Sequence, residues 1–463
     1  MKHGAFIIGV SSCGEAVCAA AGRISTQKGT ALEIMERSRD KDKNANLITK
    51  VTASGHTSTV EHVFFNLAFE NVSVVVEQFM IEFRLASFTV KSRRYVDFAD
   101  CGYLVPAALN DSQKARYTAR MDKLFALYGT LCERGIPKED ARFVLPYCFY
   151  SNFFCSLGGR ELINVLRAML FGRGSKNAEI RAIGEQLLAQ CKEAAPGVFD
   201  SFETKNAGYC DLPELTKVTQ DAQADTLPAV SLLSQTPNAQ QLVAKTALME
   251  RYGCSPQAAD AALKDEAVLR KTLESVVRSD RPRALEAACF TVRFGDVSLS
   301  TLTHFARHRI QSIAIPSLTV CNRKNHIIPP CIEEDAELLD LYLDAFSSTA
   351  ALYDALKAEG VSEDDLVYVL LSGNVIDFVT TLNARELRLF LKLRTCTRAQ
   401  WEIRALATEL LFLLRKDNPL LFAAFGPSCV IDGKCPEGRR CCGQMNEMRQ
   451  KFLGIPAEEA EQK

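Results

Sequence analysis

A repetition constrains this chain more than any other feature. When every residue is set against the one 225 positions further on, residues 56–169 run along residues 281–394 without a gap, so that Arg84 falls on Arg309, Ser92 on Ser317 and Glu161 on Glu386. FRLASFTVKS (Phe83 to Ser92) lies on HRIQSIAIPS (His308 to Ser317), ALYGTLCERGIPKED (Ala126 to Asp140) on ALYDALKAEGVSEDD, and GGRELINVL (Gly158 to Leu166) on NARELRLFL. Helical amphipathicity can imitate one such segment by chance, but not three at one offset. The chain must therefore fold as two copies of one unit.

Inside each copy the pattern is mixed. EHVFFNLAFENVSVV and EAACFTVRFGDVSLS alternate apolar and polar residues and are rich in aromatics and valine, which predicts strands. ALYDALKAEG carries apolar residues at three-and-four spacing and stops at glycine, which predicts a helix and its C-cap. ARELRLFLKLRTCTRAQWEIRALATELLFLLRK predicts a long helix with a break near Thr395. The expected class is α+β, an antiparallel sheet packed with long helices. The polar, proline-bearing stretch from Asp211 to Asn238 predicts the junction, giving an N-terminal unit (1–210), a linker (211–238), a C-terminal unit (239–425) and a cysteine-rich tail (426–463).

With 47% hydrophobic residues, 24% charged residues and a formal net charge of −1, the chain has an ordinary globular balance and no global field to draw it to nucleic acid or an anionic membrane. The N-terminus imitates a signal peptide, but its apolar run, Ala5 to Val10, is short and Glu15 follows soon after. Most of the 17 cysteines stand singly in apolar surroundings. These features predict a reduced, cytoplasmic protein.

The chemistry concentrates in RHRIQSIAIPS, Arg307 to Ser317. Three cationic or titratable side chains in a row either face solvent or clamp something negative, because burying them without anionic partners costs too much. Arginine suits the second role, since its planar fork gives a phosphate two parallel hydrogen bonds and a serine hydroxyl can add a third.

An Arg-His-Arg run followed after seven residues by serine resembles the motif of the flavin-dependent thymidylate synthases. HTSTVEH (His56 to His62), SFTVKSRRY (Ser87 to Tyr95), EDARFVLP (Glu139 to Pro146), LNARELRLFLKLR (Leu382 to Arg394) and AQWEIR (Ala399 to Arg404) resemble further segments of that family in the same order. The likeness covers about residues 10–200 and 240–425.

The two copies have degenerated in complementary ways. The second keeps Arg307, His308, Arg309 and Ser317 but follows the serine with Leu318, Thr319 and Val320. The first keeps Ser92, Arg94 and Tyr95 but has Glu82, Phe83 and Arg84 in place of Arg-His-Arg. The first has Arg142 where the second has Val367, and the second has Asn383 and Arg394 where the first has Gly158 and Met169. In the family, the resemblance implies, each active site lies between subunits, so these losses leave one complete composite site.

The resemblance further implies the roles. Ser92, Arg93, Arg94 and Arg142 would hold the phosphate of dUMP, with His304 among the substrate contacts and Arg307 bridging substrate and cofactor. Arg394 would be catalytic, facing the uracil N3 and O4 edge and stabilising the ring electrostatically, because a guanidinium is no base at neutral pH. Arg307, His308, Arg309, Asn383 and Arg385 would contact FAD, with Ser25, His56, Ser58 and Glu61 nearby. The co-substrates would be 5,10-methylenetetrahydrofolate and NADPH, and the product dTMP. The alternative is a catalytically inactive flavin- or nucleotide-binding homologue, motivated by Glu82, Met169 and the absence of the family's loop acid at Val90 and Ile315. The family is implied to be tetrameric, so a two-unit chain should form a homodimer. In the tail, Cys429, Cys435, Cys441 and Cys442 could close a tetrahedral zinc site, but their spacing does not match the usual two-residue knuckles. The expectation is no metal, with these four as candidates, and neither a membrane nor a nucleic acid as partner.

Overall fold

A computed structural model describes residues 2–39, 41–212, 215 and 227–454. The first repeat contributes strands β1 (Gly4–Val10), β2 (Phe64–Ser73), β3 (Ser87–Val90) and β4 (Tyr150–Gly158). Its principal helices are α1 (Val74–Ile81), α2 (Asp111–Glu133), α3 (Gly159–Leu170) and α4 (Ala178–Ala194). The second contributes β5 (Val230–Gln235), β6 (Cys289–Ser298), β7 (Ser312–Ala314), β8 (Asn322–His326) and β9 (Asn374–Asn383). Its corresponding helices are α5 (Leu299–Ala306), α6 (Ala336–Ala358), α7 (Ala384–Arg394) and α8 (Trp401–Asp417). The sheets are antiparallel, in the orders β1-β2-β4-β3 and β5-β6-β9-β7, and β8 adds to β9 in the second. This is the expected α+β class.

The repetition holds at the level of register. Phe65 pairs with Leu157 in the first sheet and Phe290 with Leu382 in the second. Both central strands bulge at the same place, where Asn71 and Asp296 each take a φ of about 49–50°. Asparagine and aspartate are the side chains that tolerate this left-handed region best, which is why the alternation passes through FEN and FGD without breaking the ladder. Each strand then turns directly into a helix. Ser73 and Ser298 cap those helices, and each serine binds a buried carboxylate through both its backbone N–H and its hydroxyl, Glu179 of α4 in the first repeat and Glu402 of α8 in the second. The strands predicted over EHVFFNLAFENVSVV and EAACFTVRFGDVSLS accordingly end at these serines. Aromatic pairs fill the space between sheet and helices, with Phe69 stacked on Phe153 at 4.3 Å and Phe294 on Phe378 at 5.3 Å.

Glycine ends the paired long helices as predicted, with Gly135 and Gly360 at φ of 85° and 87°. The long C-terminal helix breaks between α7 and α8. The run Ala5 to Val10 is a sheet strand, and no helix among the described residues is long and apolar enough to cross a membrane.

Two differences from the linear reading stand out. Strand β5 lies inside the stretch assigned to the linker, and Val230 pairs with Phe294 as Ala5 pairs with Phe69, so the second repeat begins there. The polar character of that stretch hides a strand held on one side only. Residues 213–214 and 216–226 of the expected linker lie outside the described residues. The spatial units also cut across the repeats: unit 1 is Met1–Asp221 with Ile328–Gly373, and unit 2 is Ala222–Ile327 with Asn374–Lys463. Helix α6, from the second repeat, thus packs on α2 inside unit 1. There Arg120 Nε donates to Thr349 Oγ1 at 2.8 Å, Arg134 pairs with Asp335 and Glu337 at 3.2 Å, and the Tyr368 hydroxyl lies 3.0 Å from both Asn177 and Glu179.

Candidate active site

In unit 1 the chemistry gathers where the loop after β3 meets the short helical turn at 138–144. The Ser92 hydroxyl accepts from the Arg94 backbone N–H at 3.3 Å, a local turn that sets the loop. Arg94 Nε lies 2.7 Å from Glu139 Oε2, and Arg142 Nε donates to the Glu139 carbonyl at 3.0 Å. Arg142 is buried, and burial together with the neighbouring guanidinium groups of Arg93 and Arg94 pushes it down to about 9, against the pull of Glu139. It remains cationic at neutral pH, with Glu139 and Asp140 as the acidic groups beside it.

Arg93 departs from the expected role. It is turned into the interior, where it pairs with buried Glu77, which also takes the Ser151 hydroxyl, and its guanidinium sits 5.4 Å over the Phe149 ring. Each of the three polar partners is apolar in the other repeat, as Leu302, Leu318 and Ile376. Arg93 therefore braces the serine-arginine loop from behind. The adjacent-arginine motif had no signal for this inward turn, because the partner Glu77 lies on another element, in the mostly apolar run VVVEQFM. Glu139, which organises both other arginines, was likewise not singled out.

In unit 2, Arg307 and Arg309 are exposed at the end of α5 while His308 between them is buried. Arg307 is the C-cap residue, at which α5 ends. His308 Nδ1 lies 2.9 Å from Glu386 Oε1, and its Nε2 lies 3.1 Å from Arg394 Nε. Arg394 Nη2 also donates to the carbonyl of His304, a buried residue one turn earlier, at 3.2 Å. The Asn383 side chain caps α7 by accepting from Glu386 N at 2.9 Å, and Arg385 pairs with Glu286. Glu61 and Arg160 form the same pair in the first repeat at 2.7 Å. Arg307 and Arg309 at the end of α5, with Arg385 on α7, are the guanidinium groups that could contact a diphosphate-bearing cofactor such as FAD.

The remaining expected cofactor residues lie on the surface of unit 1. His56 and Ser58 are exposed at the turn 57–62, against which the 16–24 helix packs, and Ser25 Oγ turns back to Gly22 O at 3.5 Å. In the tail, Cys429 and Cys435 are half-buried, Cys441 and Cys442 exposed. Among the described residues no three His, Cys, Asp or Glu side chains are grouped so as to hold a metal ion.

The counterpart positions are closed. Glu82, standing where the second repeat has Arg307, pairs with Arg173, whose guanidinium lies 5.1 Å over Phe79 and 5.5 Å over Phe83. Burial pushes the Glu82 carboxyl up while Arg173 pulls it back. Met169, the counterpart of Arg394, is buried. In the second repeat Ser317 accepts from Thr319 N at 3.3 Å, as Ser92 does from Arg94 N, and also from the Thr319 hydroxyl at 2.9 Å.

The family model for thymidylate synthase complementing protein matches this chain twice, over residues 7–197 and 231–420. A flavin-dependent thymidylate synthase of Clostridium tetani is 34% identical over 244 residues, covering 48% of this chain and 96% of that protein. One from Geobacter sulfurreducens is 33% identical over 184 residues, covering 39% and 79%. Among solved structures, a UMP/dUMP methylase, PolB from Streptomyces cacaoi, bound with 5-Br dUMP, covers 43% of this chain and 94% of its own at 22% identity with a TM-score of 0.37, too slight a likeness to argue from. Matched across both repeats, the chain belongs to the flavin-dependent thymidylate synthase family and carries two of its units in one polypeptide.

Proposed function

We propose that this chain converts dUMP to dTMP by FAD-dependent reductive methylation, with 5,10-methylenetetrahydrofolate as one-carbon donor and NADPH as reductant. In this reading one composite site draws Ser92, Arg94 and Arg142 from the N-terminal repeat, braced by Arg93, and Arg307, Arg309, Asn383, Arg385 and Arg394 from the C-terminal repeat. The observation that carries it is the complementary state of the two repeats. In the first repeat Glu82 pairs with Arg173, and Phe83 and Met169 stand where the second has His308 and Arg394; in the second, Leu318, Thr319 and Val367 stand where the first has Arg93, Arg94 and Arg142.

A bound flavin carries the hydride and the folate the carbon, so the protein contributes positioning and charge. Arg94 and Arg142, with the Ser92 hydroxyl, hold the dianionic phosphate. Arg307 spans substrate and cofactor, and Arg309, Asn383 and Arg385 hold the cofactor. The Arg394 guanidinium faces the N3 and O4 edge of the uracil, where a fixed positive charge stabilises the N3-deprotonated ring and makes C5 nucleophilic.

Purified protein should be yellow, and its flavin absorbance should shift when dUMP is added. Arg94→Ala and Arg394→Ala should each lower dTMP formation by roughly 100-fold or more. Thr319→Ala and Met169→Ala, at the matching positions, should change it little. A colourless protein that binds no flavin, or equal sensitivity at the paired positions, would refute the composite site.

A further inference from the structure

The buried histidine between the two exposed arginines has both ring nitrogens engaged by protein side chains. Its ring is enclosed by helix α7: Glu386 at Nδ1, Arg394 at Nε2, and the Phe390 ring edge-on at 5.0 Å and 69°. Those three residues stand at four-residue intervals, so they form one stripe along a single face of α7. The charged groups facing the imidazole are Glu386 and Arg394 from α7. On its own segment, Arg307 and Arg309 flank it in sequence and lie exposed, and His304 is buried one turn back.

The hydrogen-bond chemistry assigns the tautomer. Arginine Nε can only donate, so His308 Nε2 must be the acceptor, and the ring proton sits on Nδ1, where the Glu386 carboxylate receives it. The guanidinium of Arg394 is then held at two nitrogens, Nε by His308 and Nη2 by the His304 carbonyl.

We propose that Glu386 and His308 act as a positioning relay that fixes the plane of the Arg394 guanidinium, and that the relay works only while His308 is neutral. This rests on the reading of Arg394 as the activating residue. The first repeat supports the coupling: His308 is replaced by Phe83 and Arg394 by Met169 together, while the glutamate is kept as Glu161 and accepts from Leu85 N at 3.3 Å instead. Burial, and after it the Arg394 charge, pushes the imidazole below the usual histidine value, outweighing the Glu386 hydrogen bond that pulls it up. A group so depressed stays neutral above its folded pKa. As pH falls through that value the ring gains a proton on Nε2, the acceptor is lost and two cations face each other.

The test is the pH profile of dTMP formation together with ¹⁵N NMR of the histidines in flavin-free protein. In the wild type, kcat should fall on the acid side with a midpoint below 6.5, the ordinary histidine value, and a neutral Nδ1–H imidazole should disappear from the spectrum in His308→Gln. His308→Gln, whose amide oxygen can still accept from Arg394, should retain about a tenth or more of kcat and lose the acid limb. His308→Phe, the substitution found in the other repeat, should lower kcat by roughly 100-fold with the dUMP KM changed less than about threefold. A His308→Phe kcat within about threefold of wild type, or an unaltered acid limb in His308→Gln, would overturn the relay. If His308→Phe does not fold, the His308→Gln profile decides alone. Full activity in Arg394→Ala would instead overturn the underlying reading, so the two failures are distinguishable.

Discussion

Arg93 and Glu77 show what a single residue costs when its partner is out of sight. Both are almost fully buried, and breaking such a pair by removing one member leaves an uncompensated charge, at about 3–5 kcal/mol. Replacing both by well-packed apolar residues is often neutral. The second repeat carries that double replacement as Leu302 and Leu318. Arg93→Leu or Glu77→Leu alone should therefore lower unfolding stability by several kcal/mol, and the double variant should recover most of it, as read by urea denaturation. The double variant should nevertheless bind dUMP more weakly, because the Ser92–Arg94 loop loses its brace. The spacing of Ser-Arg-Arg-Tyr singled out Arg93 and Arg94 as candidates. Which way each one points was not, because direction depends on a carboxylate 16 residues earlier on another element.

The elements themselves were largely readable. Alternation gave β2 and β6, three-and-four spacing gave the end of α6, and its glycine stop at Gly360 fell where expected. Strand β5 was missed, because an edge strand with polar neighbours carries only half the apolar signal of a central one. The paired bulges offer a test at this scale. Asn71 and Asp296 occupy left-handed backbone that an alanine adopts at a cost of about 1–2 kcal/mol, whereas glycine adopts it freely. Asn71→Ala should therefore destabilise the protein by more than Asn71→Gly, in thermal unfolding, even though both variants lose the side-chain bond from Asn71 Nδ2 to Lys2 O at 2.7 Å. Equal losses would mean that the hydrogen bond, and not the backbone, governs the bulge.

For the whole molecule, two family units per chain should rebuild a tetramer-like assembly from two copies, with the organised half-sites used and the self-paired ones unused. Light scattering should then give a dimer, and flavin quantification close to one FAD per chain. Two flavins per chain would mean that the Glu82–Arg173 pair does not close its position. The duplication was legible from the constant offset, but the allocation of residues to spatial units was not, since nothing in a tandem repeat announces that Ile328–Gly373 belongs with the first half.

That allocation bears on heredity as much as on folding. Ancestral units that stood as separate genes could be lost or regained independently. Here the polypeptide passes between its two units at 221/222, 327/328 and 373/374, and the N-terminal unit is completed by a stretch translated more than a hundred residues after the junction. A gene split at the linker would yield a first product whose helix α2 lacks the α6 partner to which Arg120 and Arg134 are tied. Fission at the linker is thereby penalised at the level of the fold itself, whatever it does to the side chains of a site.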